Sequence, residues 1–231
     1  MGEDMHRHIA MIPARMGSEG FKFKNRRFFR YTADFVDSVP WFEGVVVSTD
    51  DPVVGEYARE RGYAVHDRPA ELAGPCVSIH SVFEDVIRTM DIGEDVVLWL
   101  FYLPVIYKDI RHFEEGRRII ESGEYDSLCT FVPARSHPYN CWRRNPGTGK
   151  LEQYIANDCF RRQDLPEAWT HYHYVYCFKA GSIGTLNSEM INENTYPYFL
   201  DAATRDCLIE IDEPEDYERW KAAGCPMGER K

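Results

Sequence analysis

His8-Ile9-Ala10-Met11-Ile12-Pro13-Ala14 runs straight into Arg15-Met16-Gly17-Ser18-Glu19-Gly20, with Lys24-Asn25 close behind. The apolar stretch reads as a strand and the small residues after it as the loop in which that strand ends. A helix is expected next, near Tyr31 to Ser38. Gly44 to Thr49 is a β-branched run, and a strand so continuously apolar suits the buried middle of a parallel sheet. Asp50 or Asp51 can cap the following helix, Pro52 suits its first turn and Gly62 stops it. A short strand over Tyr63 to Asp67 follows.

Outward from there the alternation continues. Ser78 to Met90 places Val82, Phe83, Val86 and Met90 at helical spacing; Asp95 to Tyr102 is a strand, Lys108 to Ser122 an amphipathic helix, and Ser127 to Pro133 a strand. This rhythm predicts an α/β fold with an open, mostly parallel sheet. It breaks after Pro133, where the turn Asn145-Pro146-Gly147-Thr148-Gly149 sits between His137 to Trp142 and Leu151 to Ile155, as in a hairpin excursion. A strand over Thr170 to Lys179 carries Tyr172, Tyr174, Tyr176 and Phe178 on one face. Aromatic residues at that period normally pack in a core or an interface. The last units are a strand near Leu208 to Ile211 and a helix with Asp212 and Glu215 as its capping box and Pro214 in its first turn.

The 231 residues suit a single domain, here 1–231, with a small insertion at 135–169. Apolar residues are 44% and charged residues 28%, an ordinary globular balance. A net charge of −11 without a basic stripe argues against nucleic acid as a partner. No window approaches a membrane span, and the polar start before a short apolar run does not resemble a signal peptide. The 7 cysteines form no C-x-x-C pair and read as reduced thiols, so the expected location is the cytoplasm.

In a parallel α/β sheet, ligands bind beyond the carboxyl ends of the strands. Small residues after the first strand let backbone N–H groups approach phosphate oxygens, and Arg15 and Lys24 add positive charge. The same loop would also serve as a plain strand-to-helix turn. Glu210 and Asp212 flank Ile211, so on a strand both carboxylates share a face. Hard oxygens so placed suit Mg²⁺, although strand-end acids also cap helices.

The order of these motifs resembles the acylneuraminate cytidylyltransferases. The resemblance lies in Ile12-Pro13-Ala14-Arg15 with Gly17-Ser18, Gly20 and Lys24-Asn25, in Val45 to Asp51, and in Arg68-Pro69-Ala70-Glu71-Leu72-Ala73. It continues in His137-Pro138-Tyr139 with Trp142, in Arg161-Arg162-Gln163-Asp164-Leu165-Pro166 and in Glu210-Ile211-Asp212. What it implies is a nucleotide-diphospho-sugar transferase fold (GT-A-like, Rossmann-like) in which the excursion makes a homodimer. The implied reaction is attack of the anomeric hydroxyl of an acidic 2-keto sugar on the α-phosphorus of CTP, with Mg²⁺ as cofactor and pyrophosphate released. By the match, Arg15 and Lys24 contact the triphosphate and stabilise the leaving group. Asn25, Arg68 and Ser78 line the cytidine site, and the backbone around Ala14 reads the base. Tyr102, Arg162, Gln163 and Tyr172 fall to the sugar side, and Glu210 and Asp212 to the metal.

The sequence departs from the family pattern at three places. Glu19 stands where a lysine is usual. Leu100-Phe101-Tyr102-Leu103-Pro104-Val105-Ile106 replaces a segment resembling Gln-Pro-Thr-Ser-Pro-Leu-Arg, and Tyr172-His173 replaces an Asn-Gly pair. The nucleotide side is therefore expected to be kept and the acceptor side changed. Open alternatives are another sugar acid or nucleotide, a glycosyltransferase of similar fold using Glu210 and Asp212, and a non-catalytic nucleotide-binding homologue.

Overall fold

A computed structural model describes residues 7–17 and 20–228. The chain divides into two compact units, one of Met1–Thr130 with His173–Lys231, the other of Phe131–Tyr172. A 7-stranded sheet is built from β1 (His8–Pro13), β2 (Gly44–Thr49), β3 (Ala64–Asp67), β4 (Val97–Leu100), β5 (Ser127–Pro133), β8 (Trp169–Lys179) and β9 (Thr195–Phe199), in the order β3-β2-β1-β4-β8-β5-β9. β1 pairs in parallel with both β2 and β4, and β2 with β3, while β8 runs antiparallel to β4. Helices α1 (Lys24–Asp37), α2 (Pro52–Glu60), α3 (Ile79–Thr89) and α4 (Ile110–Glu121) alternate with the parallel strands, and α5 (Ala202–Cys207) and α6 (Pro214–Ala222) close the chain.

The expected alternation is found with small shifts. Asp51 caps α2, accepting from the Val53 amide at 3.0 Å, with Pro52 in the first turn and Gly62 at φ 76 just past the end. Ser78 caps α3. Helix α1 begins at Lys24 rather than near Tyr31, because its buried face (Asn25, Phe28, Phe29, Thr32, Val36) keeps helical spacing back to its first turn. Trp99 lies at the centre of the core with no exposure, its indole N–H donating to His8 Nδ1 at 3.0 Å. Phe101 and Phe113 stack at 5.3 Å beside Phe35. Val175 and Cys177, on the other face of β8 from Tyr174, Tyr176 and Phe178, are buried too, so this strand has core on both sides.

Leu208 to Ile211 is not a regular strand. A single antiparallel bridge joins Glu210 to Val105, and the Ile211 amide donates to the Pro104 carbonyl at 3.1 Å. Pro104 has no N–H to return, so the ladder stops there. The capping box of α6 also sits one residue later than expected, with Glu213 as N-cap and Asp216 accepting its amide at 3.0 Å. Pro214 takes the first helical position, which makes the residue before it the cap. Asp212 is thereby left for the cleft.

The second unit contains β6 (Trp142–Arg144) paired antiparallel with β7 (Leu151–Gln153) around the Asn145 to Gly149 turn. The Asn145 carboxamide oxygen accepts from the Gly147 and Thr148 amides at 2.9 and 3.0 Å, and Gly149 at φ 69 completes the turn.

Candidate active site

The strand order reverses between β1 and β4, and a cleft of about 410 Å³ opens at their carboxyl ends. Its charged end gathers Arg15, Lys24, Asn25, Glu210, Asp212 and Glu213; its other wall is apolar, from Leu72, Pro75, Val77, Ile79 and Val82. Arg68, Tyr102 and Pro104 also line it.

The loop after β1 is held by its own neighbours. Asn25, buried on the first turn of α1, donates from Nδ2 to the Arg15 carbonyl at 2.7 Å. The Met16 amide donates to Asp50 Oδ1 at 2.7 Å. Phe23, before α1, adopts the left-handed conformation at φ 56 and gives the helix no side-chain cap. The positive end of α1 therefore meets the cleft with Lys24 and Asn25 beside it. A methyl group on Gly20 would collide with the Glu213 carboxylate and lie 2.8 Å from the Asp212 carbonyl, so glycine lets these segments touch. Ser18 and Glu19 lie outside the described residues.

Lys24 Nζ donates to Asp212 Oδ1, which joins the start of α1 to the acidic segment. Glu210 is largely withdrawn from water. Burial raises its carboxyl above the ordinary range, the Asp212 charge raises it further, and Lys24 partly offsets both. Two carboxylates at one wall, Glu210 raised in part by the charge of Asp212, form a donor set whose oxygens are of the kind Mg²⁺ prefers. Arg68 is buried, and burial lowers its guanidinium to about 10; the Asp50 charge opposes that shift and Arg15 adds to it. Burial also raises the Tyr102 phenol, with Glu189 and Glu210 adding to the effect.

Of the residues singled out in the sequence, Arg15, Lys24, Asn25, Arg68, Tyr102, Glu210 and Asp212 line one cleft. Ala14 and Ser78 stand back from the wall. Ala14 is fully buried, its N–H donating to the Ser48 carbonyl at 2.9 Å and its carbonyl accepting from Thr49 Oγ1 at 2.6 Å. The Ser78 hydroxyl is taken up by the Ser81 amide at 3.2 Å, and its neighbours Val77 and Ile79 line the cleft instead. Arg162 and Gln163 are exposed on a short 3₁₀ turn of the second unit, and Tyr172 is that unit's last residue. Sequence reasoning missed the apolar wall. Its only signal was position, since Leu72 to Ile79 follows the carboxyl end of a parallel strand.

No protein-family model matches the chain. An N-acylneuraminate cytidylyltransferase of Streptococcus agalactiae serotype V is 25% identical over 224 residues, covering 88% of this chain and 52% of that protein. The chain is similar to N-acylneuraminate cytidylyltransferases over most of its length. It spans about half the length of the streptococcal cytidylyltransferases. Post-translational flagellin modification protein B of Campylobacter coli is also 25% identical, over 91% of this chain and 92% of that one. Among solved structures, CMP:2-keto-3-deoxy-manno-octonic acid synthetase complexed with CTP superposes with a TM-score of 0.59 at 13% identity, covering 94% and 98% of the two chains. The 2-C-methyl-D-erythritol 4-phosphate cytidylyltransferase of Francisella tularensis gives 0.60 at 13% identity, covering 93% and 99%. These superpositions establish the α/β fold with its mostly parallel sheet. The likeness to the cytidylyltransferases in sequence accompanies it.

Proposed function

We propose that the chain transfers CMP from CTP to the anomeric hydroxyl of an acidic 2-keto sugar and releases pyrophosphate. The observation that supports this reading is the meeting of Arg15, Lys24, Asn25 and Arg68 with Glu210 and Asp212 in one cleft at the sheet's reversal point. Arg15, Lys24 and the start of α1 put positive charge where a triphosphate and its leaving group need it. The Leu72 to Val82 wall offers an apolar face for the base, with Arg68 at its edge. Tyr102 and Pro104 border the acceptor side of the cleft; Arg162, Gln163 and Tyr172 belong to the second unit, and their part in sugar binding rests on the resemblance alone.

Mg²⁺ held by Glu210 and Asp212 would supply charge neutralisation at the phosphates. Lys24, paired with Asp212, is kept at the same point of the cleft for the leaving group. Burial and the neighbouring Asp212 charge raise the Glu210 carboxyl, and a bound cation would favour its charged form.

We further propose a cytoplasmic homodimer formed through the second unit. That unit exposes Phe160 at 90%, with Trp142, Leu151 and Tyr154 also largely open to solvent. Sedimentation of Phe160→Asp should show monomer where the wild type shows dimer. A wild-type monomer would remove the dimer from the reading.

The deciding experiment is pyrophosphate release with CTP and Mg²⁺ across nonulosonic and octulosonic acids, with ATP and UTP as controls. Release with CTP and one acid is the expected result. Absence of both release and CTP binding in calorimetry overturns it; binding without release favours a non-catalytic homologue.

A further inference from the structure

The register of β2 on β3 sets Ser48 opposite His66, and α3 brings Asp85 against the imidazole. All of these side chains are buried, at 0%, 5% and 8% exposure. Arg68, the residue just after β3, donates from Nε to Ser48 Oγ at 3.1 Å and from Nη2 to the Ser48 carbonyl at 3.0 Å. A guanidinium only donates, so Ser48 Oγ must accept from it. The same Oγ lies 2.9 Å from His66 Nδ1, and because the Asp85 carboxylate only accepts, a neutral imidazole donates to it from Nε2 and accepts the Ser48 hydroxyl proton at Nδ1. An imidazole that accepts at Nδ1 carries its own proton on Nε2, which stands 2.9 Å from Asp85 Oδ2. Arg88 pairs with the other oxygen of Asp85 from the next turn of α3. Asp85 at one end and Arg68 at the other thus set the direction of the links between them.

We propose that Ser48, His66 and Asp85 form a buried relay that orients the Arg68 guanidinium in the cleft, which makes them positioning residues for the nucleotide although none of them lines its wall. The proposal rests on the reading of Arg68 as a cytidine-site residue. A one-residue slip of β2 on β3 would take Ser48 off the face it shares with His66, so the relay also ties Arg68 to the sheet register. Arg68 loses much of its hydration on burial, and Ser48 supplies in fixed geometry part of what water would have supplied in many.

Ser48→Ala removes the link on both sides. KM for CTP in pyrophosphate release should rise about tenfold while kcat stays within about twofold, the pattern of lost binding rather than lost chemistry. Ser48→Thr, which keeps the hydroxyl, should restore KM. Imidazole nitrogen NMR should find His66 as the Nε2–H tautomer in the wild type. If Ser48→Ala does not fold, His66→Asn keeps an acceptor where Nδ1 stood and His66→Leu does not, so only the second should weaken CTP. An unchanged KM in Ser48→Ala or His66→Leu, or a proton on His66 Nδ1, overturns the relay. A wild type that binds no CTP overturns the assignment of Arg68 instead, and the tautomer still decides the relay.

Discussion

β1 and β4 lie side by side and parallel, yet the segments that leave them do opposite things. The segment after β1 delivers Arg15, Lys24 and Asn25 to the cleft. The segment after β4 hides Phe101, Leu103, Val105 and Ile106 at 2% exposure or less, and only Tyr102 and Pro104 reach the cleft wall. One segment is polar because a ligand completes it; the other is apolar because the core does. The Leu100 to Ile106 departure from the family pattern is thus mostly packing, and its chemistry reduces to Tyr102.

That contrast can be broken by substitution on each side. Phe101→Ala should lower stability by about 3–5 kcal/mol, since it opens a cavity against Phe35, Phe42 and Phe113. In urea denaturation this is a large fall in midpoint, while the folded fraction should keep its KM for CTP. A specificity change without a stability change would return this stretch to the acceptor site. Lys24→Ala should do the reverse, costing about a hundredfold or more in kcat for pyrophosphate release with little loss of stability. Its partner Asp212 is 54% exposed on its side chain, so the ion pair itself contributes little to folding. An active Lys24→Ala enzyme removes the residue from the chemistry.

How much of this was legible follows the same division. Local signals did well where the residue that makes the structure lies next to it in sequence. Asp51 before Pro52, Ser78 before a helical stripe, and Asn145 at its turn are of this kind. The start of α1 was missed because Lys24 to Arg30 is dense in charge, and its buried face shows only through Asn25, Phe28 and Phe29. β9 carries Pro197 at the sheet edge, where a missing N–H is tolerated, and α5 is only 6 residues long; neither has a strong period. In the site, motif residues on the loops were found. The Leu72 to Val82 wall was not, because apolar residues that face a ligand look like those that face a core.

The mildest substitution tests the acidic side of the cleft by its electrostatics. Glu210 carries a carboxyl raised above its usual value by burial and by Asp212, so the folded protein holds that proton more tightly than the unfolded chain does. Stability on this account is greatest below the unfolded value and falls as pH climbs through the folded one. Glu210→Gln removes the ionisation while keeping the shape. The metal-free variant should therefore melt above the wild type at pH 7, by on the order of 2 °C, and the gap should close in acid, where Glu210 is protonated in both states. Adding Mg²⁺ with CTP should raise the wild-type melting temperature more than the variant's, because the cation relieves a repulsion the variant no longer has. A gap that persists unchanged into acid would place the effect in packing rather than charge. An undiminished response to Mg²⁺ would take Glu210 out of the metal site and leave Asp212 to hold it.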